Sequence, residues 1–223
     1  MLSSGFPQFQ RIRSRMVHLD RTYSAVLFDM DGTLLDSSAV VERVMTDWAV
    51  QNGVDPKALL AVCQGRRTID TIRDFATADM DCEAEAARLE AAEVSDVRGI
   101  IAVPGAANLL DRLPPDRWAI VTSAGRDLAT RRLTAVGLPI PEVFVTAEDI
   151  QQGKPDPSGY LLAVERLNVR AEACLVFEDA PAGIEAGLRA GCDVIAIDFA
   201  RPEVAAHVCP RVSDFREITF NLS

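Results

Sequence analysis

Between residues 118 and 198 the chain repeats one theme: a short apolar run that ends in polar residues, followed by a helix-length segment. The runs are "WAIVTSAG" (118–125), "VFVTAED" (143–149), "CLVFEDAPAG" (174–183) and "DVIAID" (193–198). Runs this apolar fit strands buried on both faces, and strands alternating with helices predict an α/β fold, a doubly wound parallel sheet. The intervening stretches agree. "RDLATRRLTAVG" and "PSGYLLAVERLN" have helical spacing, the first stopping at Gly137; "PAGIEAGLRAG" opens with Pro181 in a first helical turn and closes at Gly191. An earlier run has the same form: in "AVLFDMDGTLLDS" (25–37), Ala25 to Phe28 are apolar, and Asp29 and Asp31 follow with Gly32 directly behind.

Residues 37 to 99 break that rhythm. "VVERVMTDWAVQNG", "DPKALLAVCQG", "RTIDTIRDFATAD" and "CEAEAARLEAAE" all read as helices, so a small α-helical domain is inserted after the first strand. The expected division is a core of 23–36 and 100–223 and a helical insert of 37–99. Residues 1–22 are expected to form a flexible extension, or to precede a start at Met16. They lack the continuous apolar stretch of a secretory signal and are only faintly similar to an arginine-rich organelle transit peptide.

Composition removes several function classes. A formal charge of −10 opposes nucleic-acid binding, which needs a basic surface. No run approaches the ~18 apolar residues of a membrane span, so the expectation is a soluble, cytoplasmic protein, with a monomer favoured. Two histidines leave almost no material for a zinc site or a histidine triad. Five cysteines without CxxC spacing read as reduced, buried thiols.

Parallel strands deliver their exits to one sheet edge, where ligands of such folds bind. That edge would collect Asp29, Asp31, Thr122, Ser123, Glu178 and Asp179, with Lys154 from the loop "QGKPDP". Four carboxylates together cannot all stay ionised unless a cation joins them, and oxygen ligands without histidine select a hard ion such as Mg²⁺. Each piece alone has a plainer explanation. DxDG is a common turn, "EDAPAG" an N-cap, "TSAG" a cap, and "GKPDP" a surface loop. Their order on successive strand ends is what argues for a site.

In this order, "DMDGTLLDS", "VTSAG", "GKPDP" and "FEDAPAGIEAG" resemble the motifs of the haloacid dehalogenase superfamily of phosphotransferases, over roughly residues 23–200. More narrowly, "GRRTIDTIRDF" and "VPGAANLLDRLPPDRWAIVTSAGRD" are similar to glycerol-phosphate, 2-deoxyglucose-6-phosphate and related sugar phosphatases. The resemblance implies a Rossmann-like core with a mobile helical cap over the site. It implies Asp29 as nucleophile, forming an aspartyl-phosphate, and Asp31 as general acid-base with its backbone carbonyl on the metal. It further implies Asp179 as metal ligand, with Glu178 as ligand or as acceptor beside it. Thr122, the Ser123 amide and Lys154 would hold the phosphoryl oxygens, and Arg67, with Arg66 beside it, would lie in the cap's specificity loop. The implied activity is Mg²⁺-dependent hydrolysis of small sugar or polyol phosphates. Two other readings use the same groups: a β-phosphoglucomutase-like mutase, and a non-catalytic phospho-accepting receiver domain.

Overall fold

The computed structural model describes residues 16–200 and 209–223. The expected flexible extension therefore lies outside the described residues over 1–15, as does His207. Over the rest of its span it is corrected, because β1 (Val17–Tyr23) pairs in parallel with β10 (Ile218–Leu222). Val17 and Leu19 alternate with polar residues and, with Phe220 and Leu222, pack against the main core. Arg21 and the Tyr23 hydroxyl both donate to Asp193, at 2.8 and 2.9 Å, and hold the ribbon to the sheet.

After β2 (Ala25–Phe28) the chain turns into β3 (Leu35–Asp36), which pairs antiparallel with β4 (Ile101–Ala102). This ribbon stands at both the entry and the exit of the helical segment. Four helices fill the interval: α1 (Ser38–Gln51), α2 (Pro56–Leu60), α3 (Thr68–Phe75) and α4 (Cys82–Ser95). Asp55 and Asp81 cap α2 and α4 by accepting from the Lys57 and Ala84 amides. Met45, Trp48, Leu59, Ile72 and Leu89 give these helices an apolar core of their own. The Trp48 indole N–H is satisfied by Glu85 at 2.7 Å.

The main sheet continues through β5 (Trp118–Val121), β6 (Val143–Val145), β7 (Cys174–Glu178), β8 (Asp193–Ile197) and β9 (Arg211–Val212). Its order is β6-β5-β2-β7-β8-β9, all parallel, as the doubly wound reading requires. Period-two alternation divides its faces. Val26, Phe28, Ile120, Phe177 and Ile195 pack on the side of α5 (Ala106–Leu110) and α6 (Arg126–Ala135). Ala25, Leu27, Ala119, Val121 and Val176 pack on the side of α7 (Ser158–Arg166) and α8 (Pro181–Arg189). The first face is aromatic: Phe28 stacks on Phe177 at 5.3 Å, and Phe215 meets both edge-on. Burial of each large side chain contributes about 1.5–3 kcal/mol, so the sheet's centre carries much of the fold's apolar stabilisation.

Cys63, Cys174 and Cys192 are buried as expected, whereas Cys82 and Cys209 are only half-buried. Among the described residues no helix is long and apolar enough to cross a membrane.

Candidate active site

Chain order puts β2 at the sheet's centre, between β5 and β7, and the path leaves it in both directions. The carboxyl ends of these three strands define the crevice. Phe28 lies beside Ile120 and Phe177 in register, so the next residues along, Asp29, Val121 and Glu178, share one level. The Asp29 amide donates to the Phe177 carbonyl at 2.9 Å, and the Thr122 amide to Val145 at 3.0 Å. Gly32 then lets the chain turn back. Its φ of +90° belongs to glycine, and a Cβ there would lie 2.0 Å from Asp179 Oδ2.

Asp29, Lys154, Glu178 and Asp179 are all buried. The Lys154 ammonium uses its three N–H groups on Asp29 Oδ1 (2.5 Å), Glu178 Oε1 (2.6 Å) and the Val121 carbonyl (3.1 Å). Burial alone would lower its pKa, but Asp29 and Glu178 outweigh that and hold it above its ordinary value. The Asp29 carboxyl is pushed up to about 7 by burial and by Glu178, with Lys154 opposing.

Asp29, Glu178 and Asp179 present carboxylate oxygens all within 4.8 Å of one another. Three carboxylates against one ammonium leave two negative charges uncompensated, which matches a divalent cation. Asp29 Oδ2 is buried without a hydrogen-bond partner, as expected of an oxygen reserved for such an ion. Glu178, expected as a ligand or as an acceptor beside Asp179, is held by four protein donors. Its Oε1 accepts from Lys154 and from the Tyr160 hydroxyl at 2.9 Å, and its Oε2 from the Asp179 and Ala180 amides at 2.9 and 3.1 Å. Its roughly four acceptor positions are thus taken. Through these bonds Glu178 anchors Lys154 and the turn that carries Asp179.

Residues 23–191 match the haloacid dehalogenase-like hydrolases. The chain belongs to that family. It is 46% identical over 176 residues to hexitol phosphatase A of Escherichia coli (strain K12), covering 77% of this chain and 82% of that one. It is 37% identical over 187 residues to glycerol-1-phosphate phosphohydrolase 2 of Saccharomyces cerevisiae, covering 78% and 74%. Among solved structures, β-phosphoglucomutase of Clostridium difficile superposes with a TM-score of 0.75 over 89% of this chain and 94% of that one. At 20% identity that likeness shows the fold alone.

In this haloacid dehalogenase-like hydrolase the helical segment closes over the carboxylate edge. Asp29, Asp31, Thr122, Ser123 and Arg66 line a cavity of about 50 Å³ between the two. That is far below the ~300 Å³ at which pockets begin to enclose a drug-sized ligand, so the space between helical segment and carboxylate edge is narrow. The Asp31 carboxylate accepts from Ser37 Oγ at 2.6 Å and pairs with Arg132 at 2.8 Å. Thr122 Oγ1 accepts from the Ala124 amide at 3.1 Å, and its own proton is left for a donor role.

The expected pair of cap arginines separates. Arg66 lines the cavity while its guanidinium reaches Asp74 at 2.7 Å. Arg67, expected to touch substrate, does not line it. Its guanidinium grips Asp70 through two bonds, 2.7 and 2.9 Å, and donates to the Gln151 carbonyl at 2.9 Å. It pins the helical segment to the loop before Lys154. A second pin lies opposite, where Ser123 Oγ donates to the Gly65 carbonyl at 2.9 Å.

Gly65 sits at φ +73°, and a Cβ there would lie 2.5 Å from the Ala180 Cβ. Gly65→Ala is expected to cost about 1–2 kcal/mol, from left-handed backbone strain, and to lower kcat/KM about tenfold by lifting the loop from the core. Thermal melts and phosphate-release kinetics check this, and unaltered kinetics would mean that the loop does not seat there.

Three residues escaped the sequence reading: Tyr160, Arg132 and Glu93. Arg132 and Glu93 are both buried and pair at 2.8 Å across the α6–α4 contact. Burial, opposed by Arg132, pushes Glu93 up to about 7. A signal for both was present. Leu128, Ala129, Arg132 and Leu133 form one helical stripe, as do Ala86, Leu89 and Glu93, so each charge sits on an apolar face.

Proposed function

We propose that this hydrolase cleaves phosphate monoesters of small sugars or polyols, through a phosphoryl group carried on Asp29. The convergence of Asp29, Asp179 and Lys154 in one buried, charge-deficient cluster supports this most strongly. The hexitol phosphatase and glycerol-1-phosphate phosphohydrolase relatives favour hydrolysis of a polyol ester over the internal phosphate shift of a mutase. Burial of the acceptor aspartate beneath a helical segment with its own core disfavours a receiver domain, which must meet a partner protein.

Asp29 and Asp179, with the Asp31 carbonyl, would hold Mg²⁺, whose oxygen preference suits these donors. When bound, the ion neutralises charge on the phosphoryl oxygens. Asp29 attacks phosphorus and the P–O ester bond breaks, while Asp31 gives a proton to the departing alkoxide. Water then attacks the aspartyl-phosphate, Asp31 takes its proton, and inorganic phosphate leaves with Asp29 restored. Lys154 holds its positive charge beside Asp29 throughout, and Thr122 and the Ser123 amide donate to phosphoryl oxygens. Residues 37–99 act as the cap. They open to admit substrate and close to exclude bulk water, and the pins at Arg67 and Ser123 define the closed state.

Phosphate release from a panel of polyol and sugar phosphates tests this reading. Release is expected with Mg²⁺, with a drop of at least about 10²-fold after chelation and recovery when Mg²⁺ is returned. Full activity after exhaustive chelation would remove the metal from the mechanism. A folded protein inert towards the whole panel would reject the reading altogether.

A further inference from the structure

The nucleophile and its partners account for only part of the cavity's lining. The same cavity is also walled by Glu93 from α4 and Arg132 from α6, together with Val41, Met45 and Leu128. Both side chains are only 4% exposed. Their mutual bond and the Arg132–Asp31 bond leave one polar atom on each without a partner: Glu93 Oε1 and Arg132 Nε. A lone acceptor and a lone donor, both buried and carried by two side chains bonded to each other, carry an energetic penalty unless a ligand completes them. The residues with unmet polar atoms line the same cavity as Asp29, so a bound ester places its alcohol portion within their reach.

We infer that Glu93 and Arg132 form a hydroxyl-recognition site that selects a polyol leaving group. Glu93 Oε1 accepts from one hydroxyl of the alcohol, and Arg132 Nε donates to a neighbouring one. Vicinal hydroxyls match a carboxylate and a guanidinium held side by side. An alkyl chain of the same length leaves both atoms buried and unpaired. This assignment rests on the phosphatase reading above and adds the substrate class. Because Glu93 belongs to the cap and Arg132 to the core, recognition is completed only on closure, so the hydroxyls of the substrate favour the closed state.

The test compares glycerol 1-phosphate with propyl phosphate, which has the same carbon chain without free hydroxyls, in wild type and in Glu93→Gln. In wild type the hydroxyl-bearing ester is expected to have the higher kcat/KM. In Glu93→Gln the ratio of the two kcat/KM values is expected to fall by about 10- to 100-fold, the scale of a hydrogen bond to a charged group. Glu93→Asp, which keeps the charge but withdraws it by one methylene, is expected to reduce the ratio less. It stands in if the glutamine variant does not fold by thermal melting.

An equal loss on both esters overturns the inference, because Glu93 would then only position Arg132 against Asp31. An unchanged ratio overturns it too, yet leaves the phosphatase reading intact. A wild type that hydrolyses propyl phosphate as well as glycerol 1-phosphate removes the hydroxyl site but not the hydrolysis. A wild type that releases phosphate from neither, nor from any member of the wider panel, removes both.

Discussion

Asp29→Asn is expected to lower phosphate release by about 10⁴-fold or more, as loss of a covalent nucleophile does. The fold should persist. Asparagine is nearly isosteric, and Lys154 keeps Glu178 and the Val121 carbonyl as acceptors. Stability should therefore stay within about 1 kcal/mol of wild type, the range of a single retained or lost hydrogen bond. Denaturant melts beside single-turnover assays separate the two effects. Undiminished release from this variant, or from Asp29→Ala, would show that the phosphoryl group never passes through residue 29.

Lys154→Met should damage stability as well as activity, and in a pH-dependent way. Removing one partner of a buried ion pair costs about 3–5 kcal/mol, because the charge left behind has neither water nor counterion. Here two carboxylates, Asp29 and Glu178, lose their shared cation. The sign follows from the Asp29 carboxyl, which already stands near 7 in the fold against an ordinary 3.8, through burial and then Glu178. A raised carboxyl favours the protonated folded state, so its stability is complete below about pH 4 and is lost as pH rises through 7. Without Lys154 the carboxyl rises further. The variant should thus be nearest to wild type at pH 4 to 5 and furthest from it at pH 8. A loss that does not vary with pH would mean that the side chain acts through its packing alone.

The core of this site was legible because its logic is topological. Parallel strands that alternate with helices must present their carboxyl ends at one edge, so Asp29, Thr122 and Asp179 could be grouped from their positions after apolar runs. The elements that went unread are those in which periodicity has no room to act. β3, β4 and β9 are two residues long, and β1 joins a partner some two hundred positions away. Local patterning does not encode a pairing of that span.

The sequence by itself determined the α/β alternation, the helical insertion after the first strand, and the acidic and basic groups placed at the strand exits. These depend on hydrophobic period and turn chemistry, which act within a few residues. Only the tertiary structure decided how the charges are spent: Glu178 saturated by four donors, Arg67 committed to Asp70 and the core, and Arg132 meeting Glu93 across 39 positions of chain. The last of these pairings depends on the angle at which α6 lies on α4. That angle is set by the packing of whole surfaces, which no single stretch of residues specifies.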